Sequence, residues 1–141
     1  MTETEKRVYG EGGNYRVLVD GGVAFFRVWK RPDVSREVGG AFAREMVGVF
    51  RKLAGEPVSK VHGVLMDLRE ATTTWGPVTE TAMGEMYTSL EVVKKRLAVV
   101  TANEAIQLLR VSPVVRKYAP NHGRVFGSYS TAERWVSAKR G

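Results

Sequence analysis

Leu97-Ala98-Val99-Val100-Thr101 decides the fold of this chain. Its apolar side chains follow one another with no polar residue between them, which is typical of a short strand covered on both faces. Such strands belong to parallel sheets, whose faces are covered by helices. The stretch therefore predicts an α/β domain in which helices and strands alternate along the chain.

The residues before this strand fit that alternation. Residues 61–68 predict a buried strand, and Gly76-Pro77 then predicts a helix start with proline at the first helical position. An apolar stripe at helical spacing follows, made of Val78, Ala82, Met83, Met86, Tyr87, Leu90 and Val93. This spacing predicts a helix with one face buried in the core.

The chain begins with a predicted tail and hairpin. Residues 1–13 are polar and glycine-rich, and we predict a loosely ordered N-terminal tail there. Residues 15–19 and 23–29 are β-prone runs on either side of Asp20-Gly21-Gly22. They predict an antiparallel hairpin with a glycine turn.

A long amphipathic helix is predicted after the hairpin. Residues 38–53 carry apolar side chains at helical spacing with charged residues between them. Gly39-Gly40 disfavours a helix, so we predict that it permits close packing on the sheet. Turn and capping residues bound the helix: Asp33 or Ser35 before it, Gly55 and Pro57 after it.

Two further helices and a strand are predicted after residue 101. Asn103-Glu104 opens a helix, Ser112-Pro113 interrupts and restarts it, and Pro120 ends it. Residues 124–126 predict a short strand. Ser130-Thr131-Ala132-Glu133 is a capping-box pattern that predicts the start of the final helix.

The fold class follows from this order. We predict an α/β domain with a mixed, largely parallel sheet, led by an antiparallel hairpin, and about four helices packed on it. Residues 14–141 form this single domain.

Composition excludes several classes of function. The chain has 141 residues, no cysteine and a net charge of +7. Without cysteine there are no disulfides, thiolate zinc sites or cysteine nucleophiles. No apolar run approaches the ~20 residues that span a bilayer, and residues 1–7 lack the apolar segment of a secretory signal. We therefore expect a cytoplasmic protein without membrane insertion.

Three stretches resemble a known family. They are Val64-Leu65-Met66-Asp67-Leu68-Arg69, Arg96-Leu97-Ala98-Val99-Val100, and the ending in which Arg124-Val125-Phe126 is followed by Ser130-Thr131-Ala132-Glu133-Arg134-Trp135-Val136. Together with the order of elements, they resemble the SpoIIAA-like branch of the STAS superfamily over residues 14–138.

The resemblance implies a non-enzymatic regulatory domain that binds another regulatory protein, such as an anti-sigma factor. Several members respond to phosphorylation in the loop after the strand that here ends at Leu68. Their Asp-Ser-Ser-Gly pattern is replaced here by Trp75-Gly76-Pro77-Val78, so the usual serine is missing. The hydroxyls nearby belong to Thr72, Thr73, Thr74 and Thr79, and the first three are the candidate phosphorylation sites.

This loop is also the candidate binding site on physical grounds. It follows a predicted parallel strand and leads into a helix N-terminus, where open α/β sheets place ligands and where backbone N–H groups favour anions. The candidate binding-face residues are Asp67, Thr72, Thr73, Thr74, Trp75, Gly76 and Thr79. Trp29 and Trp75 are further candidates for partly exposed interface anchors.

No catalytic site is predicted. Asp67 has no second carboxylate or histidine at a useful spacing, so it is better explained as a hydrogen-bond acceptor that fixes the loop. His62 and His122 show no metal-ligand spacing. The phosphate-loop and nucleophile-elbow patterns do not occur. We predict a non-enzymatic protein without cofactor or metal.

Two other functions stay open from the sequence. One is a carrier of a lipid or small ligand in a cavity between sheet and helices, lined by Met83 and Met86 because methionine adapts to irregular apolar ligands. The other is a basic nucleic-acid-binding module, which the net charge permits although the basic residues are spread along the chain. A homodimer is also open, since the hairpin leaves a strand edge exposed.

Overall fold

The computed structural model describes residues 7–71, 75–102 and 105–138, apart from the side chain of residue 106. Within these ranges six strands form one sheet whose spatial order is the order of the sequence. The strands are β1 (Arg7–Gly12), β2 (Tyr15–Asp20), β3 (Val23–Trp29), β4 (Gly63–Glu70), β5 (Arg96–Val100) and β6 (Gly123–Phe126). The first three pair antiparallel, and β3 to β6 are parallel. The predicted fold class is confirmed.

The same described ranges contain four helices that cover the sheet unequally. They are α1 (Arg36–Gly55), α2 (Pro77–Val92), α3 (Ala105–Tyr118) and α4 (Tyr129–Ser137). Helices α1, α2 and α3 cross between neighbouring parallel strands and share the larger core on one face, whereas α4 packs on the other face. Among these helices none is long and apolar enough to cross a membrane.

The hairpin and the helix starts follow local chemistry. The β2–β3 turn places Gly21 and Gly22 at φ of 59° and 83°, a region that glycine occupies without steric cost. Ser35 caps α1 by accepting a hydrogen bond from the Val38 N–H, as one of the two predicted caps. Gly76 precedes α2, which starts at Pro77 as predicted.

The N-terminal segment corrects the predicted tail from residue 7 onward, whereas residues 1–6 of that prediction lie outside the described residues. Residues 7–12 form β1, which pairs with β2 and carries an irregularity between Val8 and Gly10. Of the glycines whose composition suggested a turn, Gly10 and Gly12 lie in β1 and Gly13 lies in the β1–β2 turn. Tyr9 packs against the larger core, and this contact holds the strand on the sheet.

Two predicted boundaries near the C-terminus are also corrected. Helix α3 runs through Ser112-Pro113 without interruption. Pro113 lacks an N–H for the Leu109 carbonyl, but Leu109 is exposed, so water can hydrate that carbonyl. In α4 the cap is Ser128, which accepts from the Thr131 N–H, and the predicted capping-box serine, Ser130, lies inside the helix.

Gly40 of α1 also differs from its prediction. It is buried, and a β-carbon added there would lie 3.2 Å from the Val78 side chain of α2. The glycine therefore permits close contact between two helices, where the sequence predicted close contact between a helix and the sheet.

The larger core is built around an aromatic series. The ring centroids of Tyr15 and Phe26 are 5.3 Å apart, and those of Phe26 and Phe50 are 4.9 Å apart. Phe50 also approaches Tyr87 of α2 at 6.4 Å. Both Phe26 and Phe50 are completely buried. The series joins β2, β3, α1 and α2 into one packed unit.

Glu91 fixes the turn that leads into β6. Its carboxylate accepts hydrogen bonds from the backbone N–H groups of Asn121 and His122, and it lies 2.8 Å from His122 Nδ1. Burial acts to raise the pKa of Glu91, but the hydrogen bonds from His122 and Asn121 outweigh it, so this pKa lies below its ordinary value. The charged carboxylate therefore stabilises the folded state.

Replacing Glu91 by glutamine is expected to lower the free energy of unfolding at pH 7 by about 1–3 kcal/mol, since charge-assisted hydrogen bonds are lost. The pKa is depressed on folding, so the wild-type advantage holds above the unfolded pKa and is lost as the pH falls through the folded pKa. Urea unfolding of both proteins at pH 7 and at about pH 3, below the ordinary glutamate pKa of about 4.3, measures this. An equal difference at the two pH values contradicts the assignment, and Glu133→Gln, at an exposed position of α4, is the control.

Candidate functional site

A cavity of about 360 Å³ lies between α1, α2 and the C-terminal ends of β3 and β4. Pockets that hold small ligands range from about 300 to 1,000 Å³, so this one has room for a small molecule. Its position follows from the topology. Strands β3 and β4 end at the same edge of the sheet, and the chain leaves each of them to start a helix there.

The inner wall of the cavity is apolar. Among the described lining residues are four methionines, Met46, Met66, Met83 and Met86, which come from α1, β4 and α2. All four are at most 5% exposed. Methionine side chains are unbranched and polarisable, and they adapt to apolar ligands of irregular shape. The other apolar lining residues include Val28, Phe42, Ala43, Leu68 and Ala71.

Two tryptophans stand where the cavity opens. Trp29 ends β3 and Trp75 precedes α2, and both are half-buried. The guanidinium carbon of Arg110 lies 4.6 Å from the centre of the Trp75 ring, so a cation covers one side of that indole. Trp75 is therefore packed between the cavity and α3, and it is partly exposed.

Two buried polar atoms at the cavity lack a hydrogen-bond partner among the described residues. They are Nε1 of Trp75 and Oδ1 of Asn14, and both residues line the cavity. A buried polar group without a partner costs about 1–3 kcal/mol, and most such groups in folded proteins are satisfied.

The charged residues at the cavity are all basic. Lys30, Arg31 and Arg36 are among the described lining residues, and no aspartate or glutamate is. Arg31 is neutralised by Asp33, which accepts two hydrogen bonds of 2.8 and 2.7 Å from its guanidinium. These hydrogen bonds lower the pKa of Asp33 to about 2. Lys30 and Arg36 form no ion pair with any residue in the described ranges.

The N-terminus of α2 also faces this region. Gly76 is its N-cap and supplies no side-chain hydrogen bond to the first turn. A β-carbon on Gly76 would lie 3.2 Å from Cδ of Arg36, so the helix start and this cation are in contact distance. The partial positive charge of a helix N-terminus adds to that of the arginine.

The structure separates the predicted site residues into three groups. Trp75, Gly76 and Thr79 line the cavity. Asp67 lies on the opposite face of the sheet, because β4 alternates and its neighbours Met66 and Leu68 point into the larger core. Thr72, Thr73 and Thr74, which include the candidate phosphorylation sites, lie outside the described residues.

Asp67 is engaged in local hydrogen bonds. Its carboxylate accepts from the backbone N–H of Arg69 and, at 2.9 and 2.8 Å, from the Arg69 guanidinium. The Arg69 guanidinium in turn covers the ring of Tyr129 at 4.7 Å. The sequence favoured a hydrogen-bond acceptor that fixes the following loop, whereas these hydrogen bonds lie within β4, and Asp67 is outside the cavity.

Several lining residues were missed by sequence reasoning. Asn14, Lys30, Arg36 and Phe42 come from a turn, a loop and the outer part of α1, and none stands in a motif. Met46 and Met66 were assigned only to a core helix and a buried strand. The available signal was four methionines at core positions of three predicted elements.

The histidines do not form a site. His122 is hydrogen-bonded to Glu91. His62 packs over Gly22, and a β-carbon added to Gly22 would lie 2.6 Å from Cδ2 of His62. Within the described ranges no group of three histidine, aspartate or glutamate side chains is placed to hold a metal ion.

Comparisons with known proteins do not extend this description. The chain matches no protein-family model, and it matches no curated protein.

Proposed function

We propose that this protein binds a small, largely apolar molecule in the cavity between α1, α2 and the sheet. The carrying observation is the methionine-lined cavity of about 360 Å³. Its apolar wall suits a ligand with an apolar body, so the geometry supports a carrier or sensor of a small molecule.

The regulatory protein-binding role stays a prediction, as does membership of the STAS superfamily. Trp75, the candidate anchor for such a partner, is half-buried under Arg110 and also lines the cavity. A ligand-binding domain can still regulate a partner protein, because a ligand that binds one conformation better shifts the population towards it. The absence of catalysis also remains a prediction.

Gly39 allows a sharp test of the cavity. It lines the cavity, and a β-carbon added there meets no atom within 4 Å. We expect Gly39→Leu to fill the space and to lower the affinity for the neutral fluorescent probe N-phenylnaphthylamine at least about tenfold, which corresponds to about 1.4 kcal/mol. Fluorescence titration of purified wild-type and variant proteins measures the affinity.

Gly48 supplies a matched control on the same helix. It is exposed, its β-carbon position is equally open, and it does not line the cavity. Gly48→Leu is therefore expected to bind the probe as the wild type does. The proposal fails if wild-type protein does not bind the probe, or if both leucine variants bind it as well as the wild type.

A further inference from the structure

We infer that the natural ligand is an organic anion, with an acidic head group at the cavity mouth and an apolar tail among the methionines. This inference rests on the proposed function and specifies the chemical class of the ligand. Its basis is the charge at the cavity, because the described charged residues that line it are all cations.

The mouth carries positive charge that no described residue neutralises. Lys30 and Arg36 line the cavity without an ion-pair partner in the described ranges, whereas Arg31 beside them is paired with Asp33. On this surface most arginines near the sheet ends have acidic partners: Arg27 pairs with Glu70, and Arg69 pairs with Asp67. Two cations that form no ion pair with a described residue therefore lie among the residues that line the apolar space.

The remaining polar groups at the mouth also suit an acceptor-rich head group. Trp75 Nε1 is a donor only, and it is buried without an acceptor among the described residues. The start of α2 has no side-chain cap, because the N-cap residue is Gly76; its carbonyl oxygen accepts only from the Glu80 N–H among the described residues. A carboxylate offers two oxygens with lone pairs to such donors, and its charge is stabilised by Arg36.

The inner wall of the cavity favours an apolar ligand body behind that head group. The methionine wall and Phe42 contribute no charge, and the polar lining residues Asn14, Lys30, Arg36 and Trp75 belong to segments at the ends of the strands. A medium-chain fatty acid has this combination of one terminal carboxylate and an uninterrupted apolar chain. A neutral molecule of the same shape would leave Lys30 and Arg36 without a counter-charge.

A pair of ligands that differ only in the head group tests this. Isothermal titration calorimetry compares decanoate with decanol, both below their aggregation concentrations, on the full chain. Wild-type protein is expected to bind decanoate about tenfold more tightly than decanol, because two exposed cations attract its carboxylate. The Lys30→Gln, Arg36→Gln double variant is expected to bind decanoate and decanol with equal affinity.

Arg134 on α4, on the other face of the sheet, gives the control for net charge. Arg134→Gln is expected to keep the full preference for decanoate at the same ionic strength. Equal binding of decanoate and decanol by wild type overturns the anion inference and leaves the cavity function standing. If Arg134→Gln loses the preference for decanoate over decanol, that preference comes from the overall charge of the protein, and this result also overturns the inference. Failure of both ligands to bind overturns the proposed function itself.

Discussion

Replacing Phe50 by alanine is expected to lower the free energy of unfolding by about 3–5 kcal/mol. The side chain is completely buried in α1 and packs between Phe26 of β3 and Tyr87 of α2. Truncation removes both aromatic contacts and leaves a void that the sheet and α2 cannot close by small movements. Urea unfolding followed by circular dichroism gives the change in the free energy of unfolding.

Leu109→Ala is the control for this truncation, because Leu109 is a large apolar side chain that is 73% exposed. Its effect is expected to stay within about 0.5 kcal/mol. A loss below about 1 kcal/mol for Phe50→Ala would show that the aromatic series is not the packed centre of the domain. The result also bears on the cavity, since Met46 and Met83 are held by the same two helices.

Gly123→Ala is the second large effect that we expect, a loss of about 3 kcal/mol in the free energy of unfolding. The added β-carbon would lie 2.7 Å from Cβ of Ala119, 2.8 Å from its carbonyl oxygen and 2.9 Å from Cγ1 of Val115. The carbonyl is backbone and cannot turn aside. Ala119 and Val115 are themselves buried, so β6 would have to separate from α3.

Gly48→Ala is the matched substitution. It adds the same methyl group at an exposed helical position where no atom lies within 4 Å. Alanine is favoured over glycine in a helix interior, so a gain of about 0.5–1 kcal/mol is expected. Thermal unfolding of wild type and both variants shows whether each substitution raises or lowers the free energy of unfolding. If Gly123→Ala leaves it unchanged, the contact between α3 and β6 is looser than these distances indicate.

A ligand bound in the cavity would link stability to the proposed function. A ligand that binds only the folded state raises the free energy of unfolding with its concentration. The walls of the cavity belong in part to α1 and α2, which contact each other at Gly40 and Val78. On the proposed function, the bound ligand would contact both helices that the aromatic series joins.

The sequence determined those features that depend on local pattern. The apolar stretch at 97–100 and the glycine turn at 21–22 predicted a parallel sheet led by a hairpin, because side-chain period and backbone freedom are local properties. The start of α2 at Gly76-Pro77 was predicted for the same reason. Strand β1 was missed because its glycines have the composition of a turn, and only pairing with β2 and the packing of Tyr9 make it a strand.

The site was decided by tertiary structure. Asp67 and Trp75 are close in sequence, yet the alternation of β4 places Asp67 on the opposite face of the sheet from the cavity. Lys30 and Arg36 have no local signal, and they line one cavity with Gly76 because β3 and β4 are parallel neighbours that end at one edge. Periodicity specifies which side chains are buried, but the space left between helices depends on how they pack, and packing is a property of the whole chain.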